Sequence, residues 1–237
     1  MKFQEKTAVV TGGTGALGSR VAEFLFAEGA SIAIPYTSEK SLANIPKSLS
    51  TKPDRLLAVK TDLTDEKQVK NFLEEVVNRF QSIDIAVNAA GGYFGGKMIE
   101  ETTVEDMQGI LNLNFMTTFL VCRGVLQVMR KQNSGRIVNI AAMPALVPSA
   151  KKGPYAISKR AVVTLTETIA EEVKGTGITI NAIAPSTIVT EANKQSMPRA
   201  DFTKWVSPEE IARLIGYLCS DDARSVSGNV VKAYGGV

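Results

Sequence analysis

Short apolar runs rich in β-branched residues alternate along the chain with longer stretches in which apolar positions recur at helical spacing. This is the pattern of a parallel sheet covered by crossover helices on both faces. Strands are predicted at Thr7–Thr11, Ser31–Tyr36, Leu56–Lys60, Asp84–Asn88, Arg136–Ala141, Ile178–Ile183 and Asn229–Ala233. Helices are predicted near Ala16–Glu28, Glu66–Phe80, Val104–Lys131, Pro154–Lys174 and Pro208–Ser220, with a shorter one within Ser38–Thr51. The expected fold class is α/β: a single Rossmann-like, doubly wound parallel sheet of about seven strands, flanked by helices on both faces. Thr102 and Glu105 read as a capping box before the third long helix. Ser207-Pro208-Glu209-Glu210 offers an N-cap, an N1 proline and first-turn acids for the last one. No repeat, low-complexity tract or linker divides the 237 residues, so one domain over 1–237 is expected. The stretch Ala184–Val206 is too long for an ordinary connection and is where a lid over a site, about residues 185–206, is expected.

Composition narrows the chemistry. Lysine and arginine number 27 against 24 acids, and a formal charge of +3 is too weak and dispersed to imply a nucleic-acid partner. The chain has no histidine, which excludes Ser-His-Asp and Cys-His nucleophilic catalysis, imidazole metal sites and histidine acid-base work. No metal is expected. Cys122 and Cys219 lie in apolar helical stretches without CxxC spacing, as expected of buried free thiols in a reducing cytoplasm. The N-terminal MKFQEKTAVV runs into a short strand rather than a signal sequence, and no uninterrupted apolar run approaches the ~18 residues of a membrane span. A cytoplasmic protein with no membrane partner is expected.

Between the first strand and first helix stands Thr11-Gly12-Gly13-Thr14-Gly15-Ala16-Leu17-Gly18. There a dinucleotide pyrophosphate meets exposed helix N–H groups and the positive dipole end. Farther on, Tyr155 and Lys159 stand four apart at a helix start, one turn apart on the same face. A free phenol, with pKa near ~10, is a poor proton carrier at neutrality, and an adjacent ammonium favours its phenolate.

These segments resemble the short-chain dehydrogenase/reductase family. Its TGxxx[AG]xG turn is matched by Thr11, Gly12, Ala16 and Gly18, and its longer TGxxGxxG variant through Gly15. The likeness continues in order through Asp62-Leu63, Asn88-Ala89-Ala90-Gly91, Asn114, Tyr155-x-x-x-Lys159, Gly228 and Gly235-Gly236. The resemblance implies a nicotinamide cofactor held by Gly12, Thr14, Gly15, Ala16, Leu17 and Gly18 at the turn, with Asp62 and Leu63 on the adenine. It further assigns Asn88, Ala89, Ala90, Gly91, Pro185 and Ile188 to the cleft, Tyr155 as proton donor, and Lys159 to the ribose and to lowering the phenol pKa. Asn114 is assigned a helix irregularity that orders a relay water. It also implies a homo-oligomer, with Val104–Lys131 and Pro154–Lys174 as interface helices.

Two positions depart from the pattern. The family's serine, thirteen residues before the tyrosine, falls at Ala142. The chain is therefore a non-catalytic nucleotide sensor, uses another donor, or acts on a substrate that does not need that hydrogen bond. Retention of Tyr155, Lys159 and Asn114 argues against the first. Ser158 points about 100° from Lys159 around the helix and reads as structural. Where NAD-preferring members carry aspartate after the second strand, this chain has Tyr36, followed by Thr37 and Ser38, which favours NADPH with NADH as the alternative.

The lid itself, Asn193 to Trp205, resembles the dihydropteridine reductases within the family, through Asn193, Ser196, Met197, Pro198, Ala200, Asp201, Phe202 and Trp205. Gly92-Tyr93-Phe94-Gly95-Gly96 carries the same likeness. Tyr93, Ala142, Asn193, Ser196, Met197, Phe202 and Trp205 are then the expected substrate residues. The implied small-molecule substrate is a quinonoid dihydropteridine or similar conjugated ring. The tail Ala233-Tyr234-Gly235-Gly236 looks more like 3-oxoacyl-acyl-carrier-protein reductases, which makes such a carbonyl reductase the alternative.

Overall fold

A computed structural model describes residues 1–236. Strands β1 (Thr7–Thr11), β2 (Ser31–Tyr36), β3 (Leu56–Lys60), β4 (Ile85–Asn88), β5 (Gly135–Ile140), β6 (Ile178–Pro185) and β7 (Val230–Ala233) form one sheet in the order β3-β2-β1-β4-β5-β6-β7. All its pairings are parallel. The winding reverses between β1 and β4, which places a crevice at their C-terminal ends. The helices are α1 (Ala16–Ala27), α2 (Lys47–Ser50), α3 (Glu66–Phe80), α4 (Val104–Leu111), α5 (Thr117–Gln132), α6 (Gly153–Glu172), α7 (Glu191–Ser196) and α8 (Pro208–Cys219). The seven expected strands are all present, and their central members are buried on both faces, as a doubly covered sheet requires.

Two apolar layers sandwich the sheet. Val21, Leu25, Ile211 and Ile215 bring α1 and α8 onto one face with Ile32, Ile34 and Val138. On the other, Phe72, Val76, Val121, Val125, Met129 and Ile169 bring α3, α5 and α6 onto Val9, Ala86, Ile137 and Ile180. The stretch Val104–Gln132 is long and apolar enough to cross a bilayer, with mean hydropathy 1.4 over its most apolar window. Its apolar side is nevertheless part of this second layer.

The long third helix is not regular. A π-helical turn, Asn112–Met116, separates α4 from α5, and an extra residue in a helical turn often marks a functional position. The expected capping box also shifts by one residue. Thr103 Oγ1 accepts from the Asp106 amide at 3.1 Å and Asp106 Oδ2 accepts from the Thr103 amide at 3.2 Å, while the Thr102 hydroxyl turns back to the Met98 carbonyl at 3.0 Å. The shift follows from the helix starting at Val104, which makes Thr103 the residue directly before its first turn. The box at Ser207 and Glu210 forms where expected. Within Ser38–Thr51 the chain makes a 3₁₀ turn, Glu39–Asn44, and the single turn α2 in place of one helix.

Along the C-terminal edge of the sheet, side-chain hydrogen bonds tie strand to strand and to helix. Asn88 Nδ2 donates to Asn139 Oδ1 at 2.8 Å and to Cys122 Sγ at 3.3 Å, and Asn139 Nδ2 donates to Thr166 Oγ1 at 2.9 Å. Register pairs Thr11 with Asn88 and Asn88 with Asn139, so this buried row holds the ends of β4 and β5 level beneath the crevice and against α5 and α6. Burial pushes the Cys122 and Cys219 thiols up to about 12.

Candidate active site

The glycine turn is shaped by contact between two backbones. Gly12 has φ +66°, and a Cβ there would lie 2.9 Å from the carbonyl of Ala89 and the nitrogen of Ala90, so only glycine suits both the turn and the approach. A Cβ on Gly18 would lie 2.1 Å from the Gly12 carbonyl oxygen. α1 begins after Gly15 with no side chain capping it, and its first N–H groups are therefore free to meet an anion. The turn, the uncapped twelve-residue helix and the position at the winding reversal fit the pyrophosphate of a dinucleotide. Thr14, Ala16 and Leu17 lie on this turn and helix start, Gly15 and Ala16 being exposed.

Tyr36 ends β2, and its hydroxyl donates to Glu39 Oε1 at 3.3 Å. Ile34, two residues earlier and so on the same face of the strand, touches Gly13. A carboxylate the sequence reading had not singled out thus stands beside Tyr36, Thr37 and Ser38. Asp62 accepts from the amide and hydroxyl of Thr64 at 2.9 and 2.7 Å, an Asx turn that shapes the loop after β3, and Leu63 is buried beside it.

Across the crevice, Asn114 is fully buried in the π-helical turn. Its Oδ1 accepts from the Gly92 amide at 2.9 Å, and its Nδ2 donates to the Gly92 carbonyl at 3.1 Å and to Ser158 Oγ at 3.0 Å. A Cβ on Gly91 would lie 2.6 Å from Asn114 Oδ1 and 3.2 Å from Lys159 Nζ, so Asn114, Lys159 and the Gly91–Gly92 loop converge on one spot. The irregularity expected at Asn114 is present, and its side chain clamps the loop after β4.

Tyr155 and Lys159 occupy the first two turns of α6. The Tyr155 ring meets the edge of Tyr93, with centroids 5.1 Å apart and planes at 67°. Burial, reinforced by Tyr93, pushes the phenol up to about 12. The expected lowering by Lys159 is therefore not a property of the protein by itself. Lys159 is buried, its Nζ donates to the Ile140 carbonyl at 2.9 Å, and desolvation brings it down to about 8. The ammonium is held by β5, a partner the spacing of Tyr155 and Lys159 could not reveal.

Ala142 is buried just beyond β5 and leads into a turn, Met143–Ala145, that packs on α6. Ala141 and Ala145, to either side of it along the chain, belong to an apolar cluster with Val163, Ala182 and Ala184. No hydroxyl stands at the family's serine position.

The lid starts from Pro185, the last residue of β6, and its base is a short clamp: Ile188 pairs with Val206, and Asn193 Nδ2 donates to the Ile188 carbonyl at 2.8 Å. The Ser196 hydroxyl donates to the Asn193 carbonyl at 3.0 Å, and Met197 is exposed. Trp205 departs from the expectation that it closes over a substrate. It is buried at the lid's base, with its ring 4.7 Å from that of Phe202, because the pairing of Val206 with Ile188 draws this end of the lid onto the core.

An uncapped glycine turn at the reversal of a parallel sheet, with a phenol and a buried amine one turn apart on a second helix, is the arrangement of a nicotinamide-dependent oxidoreductase of Rossmann-like fold. The profile of the short chain dehydrogenase family matches residues 6–201, and the chain belongs to that family. It is 29% identical to a 3-oxoacyl-[acyl-carrier-protein] reductase of Thermotoga maritima, over 100% of this chain and 99% of that protein. It is 32% identical to levodione reductase of Leifsonia aquatica, over 99% and 95%. The crystal structure of a levodione reductase superposes with a TM-score of 0.92 at 32% identity, covering 99% of this chain and 98% of that one. That of an NAD⁺-bound xylitol dehydrogenase gives 0.92 at 26% identity, covering 100% of both.

Two outcomes test this geometry. Gly18→Val is expected to weaken nucleotide binding about tenfold to a hundredfold, the equivalent of ~1–3 kcal/mol of overpacking. Titration followed through the single tryptophan measures it, with circular dichroism confirming the fold. For Lys159, the lowered pKa means that the unfolded chain binds more protons than the folded one from about 8 up to the ordinary lysine value of about 10.4. Wild-type stability therefore rises with pH in that window. The Tm of Lys159→Met minus that of wild type should fall as pH is raised through it, as calorimetry at stepped pH would record.

Proposed function

We propose that the protein reduces the carbonyl group of a small molecule with a nicotinamide cofactor, a 3-oxoacyl thioester being the first candidate. The observation that carries this reading is the convergence of Lys159 and Asn114 on the Gly91–Gly92 loop, which follows directly on the residues packed against the glycine turn, with Tyr155 against Tyr93 of that same loop. The full-length similarity to a 3-oxoacyl reductase adds support. When bound, the cofactor supplies a hydride. Tyr155 gives its proton to the oxygen that becomes the hydroxyl and is reprotonated from solvent. Lys159, released from the Ile140 carbonyl, is placed to hold a ribose hydroxyl and to favour the phenolate electrostatically. Exposed Thr37 and Ser38 favour NADPH, whereas the Glu39 carboxylate works against a 2′-phosphate and keeps NADH as the second choice. Exposed Val104, Leu113 and Ile157 support a homo-oligomer built on the α4–α5 and α6 helices.

One observation favours a second reading, reduction of a quinonoid dihydropteridine. Ala142 offers no hydroxyl to polarise a ketone, and a conjugated, electron-poor ring accepts hydride without that help. The relatives named above are not pterin reductases. Tyr93 and Met197 are the exposed apolar side chains of the loops assigned to the substrate.

Purified protein assayed with NADPH and NADH against acetoacetyl thioester and quinonoid dihydropterin separates the two readings. Faster turnover of the thioester is expected, and turnover of the pterin alone would reverse the order. Tyr155→Phe should lose about 10²-fold to 10⁴-fold in kcat while keeping nucleotide affinity. Ala142→Ser should raise ketone turnover by up to about 10²-fold and leave pterin turnover unchanged.

A further inference from the structure

We infer that Ser158 is a positioning residue for this reaction, fixing the Tyr155 phenol through the backbone of α6 without touching the substrate. A helical serine often bonds back to a carbonyl one turn earlier, and the Ser158 hydroxyl does donate to the Tyr155 carbonyl at 2.8 Å. What sets it apart is the other side of the same oxygen, which accepts from Asn114 Nδ2 at 3.0 Å. Both side chains are fully buried. Asn114 is in turn paired in both directions with the Gly92 backbone. Every polar atom in the series is satisfied: Gly92 N–H and C=O, Asn114 Oδ1 and Nδ2, Ser158 Oγ and Tyr155 C=O.

The series joins three segments that share no other polar side-chain link: the loop after β4, the π-helical turn between α4 and α5, and the first turn of α6. Its two ends carry the aromatic pair. Tyr93 follows Gly92 directly, and its ring lies edge-on to that of Tyr155. Removing the Ser158 hydroxyl frees one proton of Asn114 Nδ2 in a dry environment and unties α6 from the loop. Both changes let the phenol move relative to the cofactor crevice. A displacement of ~1 Å at a reacting group costs on the order of 10² in rate. The glycine turn and the start of α1, which meet the pyrophosphate, are outside the series, so nucleotide affinity is expected to change far less than kcat.

The inference rests on the proposed role of Tyr155 as proton donor, and the test keeps the two apart. Ser158→Ala, Asn114→Ala and their double variant are assayed on the thioester or pterin that wild type turns over. Ser158→Cys retains the volume and a weak donor, and serves the same comparison should the alanine variant fold poorly. Ser158→Ala is expected to lower kcat about tenfold to a hundredfold, with KM and nucleotide Kd within about twofold of wild type, and Ser158→Cys to recover part of the loss. The double variant should be no slower than Asn114→Ala alone, because both act through one series. Hydrogen exchange reads the clamp without any substrate, and the Gly92–Phe94 amides should exchange faster in Ser158→Ala. An unchanged kcat, a parallel loss of kcat and nucleotide affinity, additive losses in the double variant, or unchanged exchange would each overturn the inference. Tyr155→Phe is the control. If it keeps wild-type turnover the proton-donor reading fails, whereas an inactive Tyr155→Phe beside a fully active Ser158→Ala removes only the role of Ser158.

Discussion

The site depends on two backbone turns lying against each other with no side chain between them. Gly12 at the end of β1 comes so close to Ala89 and Ala90 after β4 that a Cβ would stand 2.9 Å from their backbone atoms. That contact occurs where the winding of the sheet reverses, and it makes one crevice of two loops that belong to opposite halves of the fold. From there the order is propagated through short links. The Ala90 amide donates to Thr11 Oγ1 at 3.1 Å, Gly91 leaves room for Asn114 and Lys159, and Gly92 pairs with Asn114. Beneath it, the row from Asn88 to Thr166 keeps the strand ends from sliding relative to α5 and α6.

What the sequence discloses is local. The glycine turn, the strand and helix alternation and the Tyr155–Lys159 spacing are each contained within one element or one connection, where steric and periodic rules act over a few residues. The bonds that assemble the site are different in kind. Gly92 and Asn114 are 22 residues apart and Asn114 and Ser158 are 44 apart, and only the order of strands brings them together. The Ile140 carbonyl that receives Lys159 is invisible to any side-chain pattern, because every residue has a carbonyl. The capping box lies one position later than the pattern suggests because Thr102 and Thr103 offer the same hydroxyl and each has an acid three residues on, Glu105 or Asp106, so the sequence holds two overlapping boxes. Trp205 shows the same limit, since an aromatic in a lid sequence carries no mark of whether it stands open or, as here, is buried against a neighbour such as Phe202.

The two groups proposed to handle the proton both lie out of water. Burial raises the Tyr155 phenol and depresses the Lys159 ammonium, so each is biased toward its uncharged state. A ribose hydroxyl that took over Lys159 from the Ile140 carbonyl would keep the ammonium in place as the nearby charge that favours proton release from the phenol.

The absence of histidine has a further value for anyone who measures this protein. Carboxylates titrate below the neutral range, and the two cysteines, both driven up to about 12 by burial, are removed from its upper side. Burial brings Lys159 down to about 8, so an inflection between about pH 6 and 9 in binding or rate has the Tyr155–Lys159 pair, its ligands and an α-amino group as its sources, and no imidazole. In most proteins such an assignment needs a series of histidine replacements; here the background has been cleared by the composition of the chain.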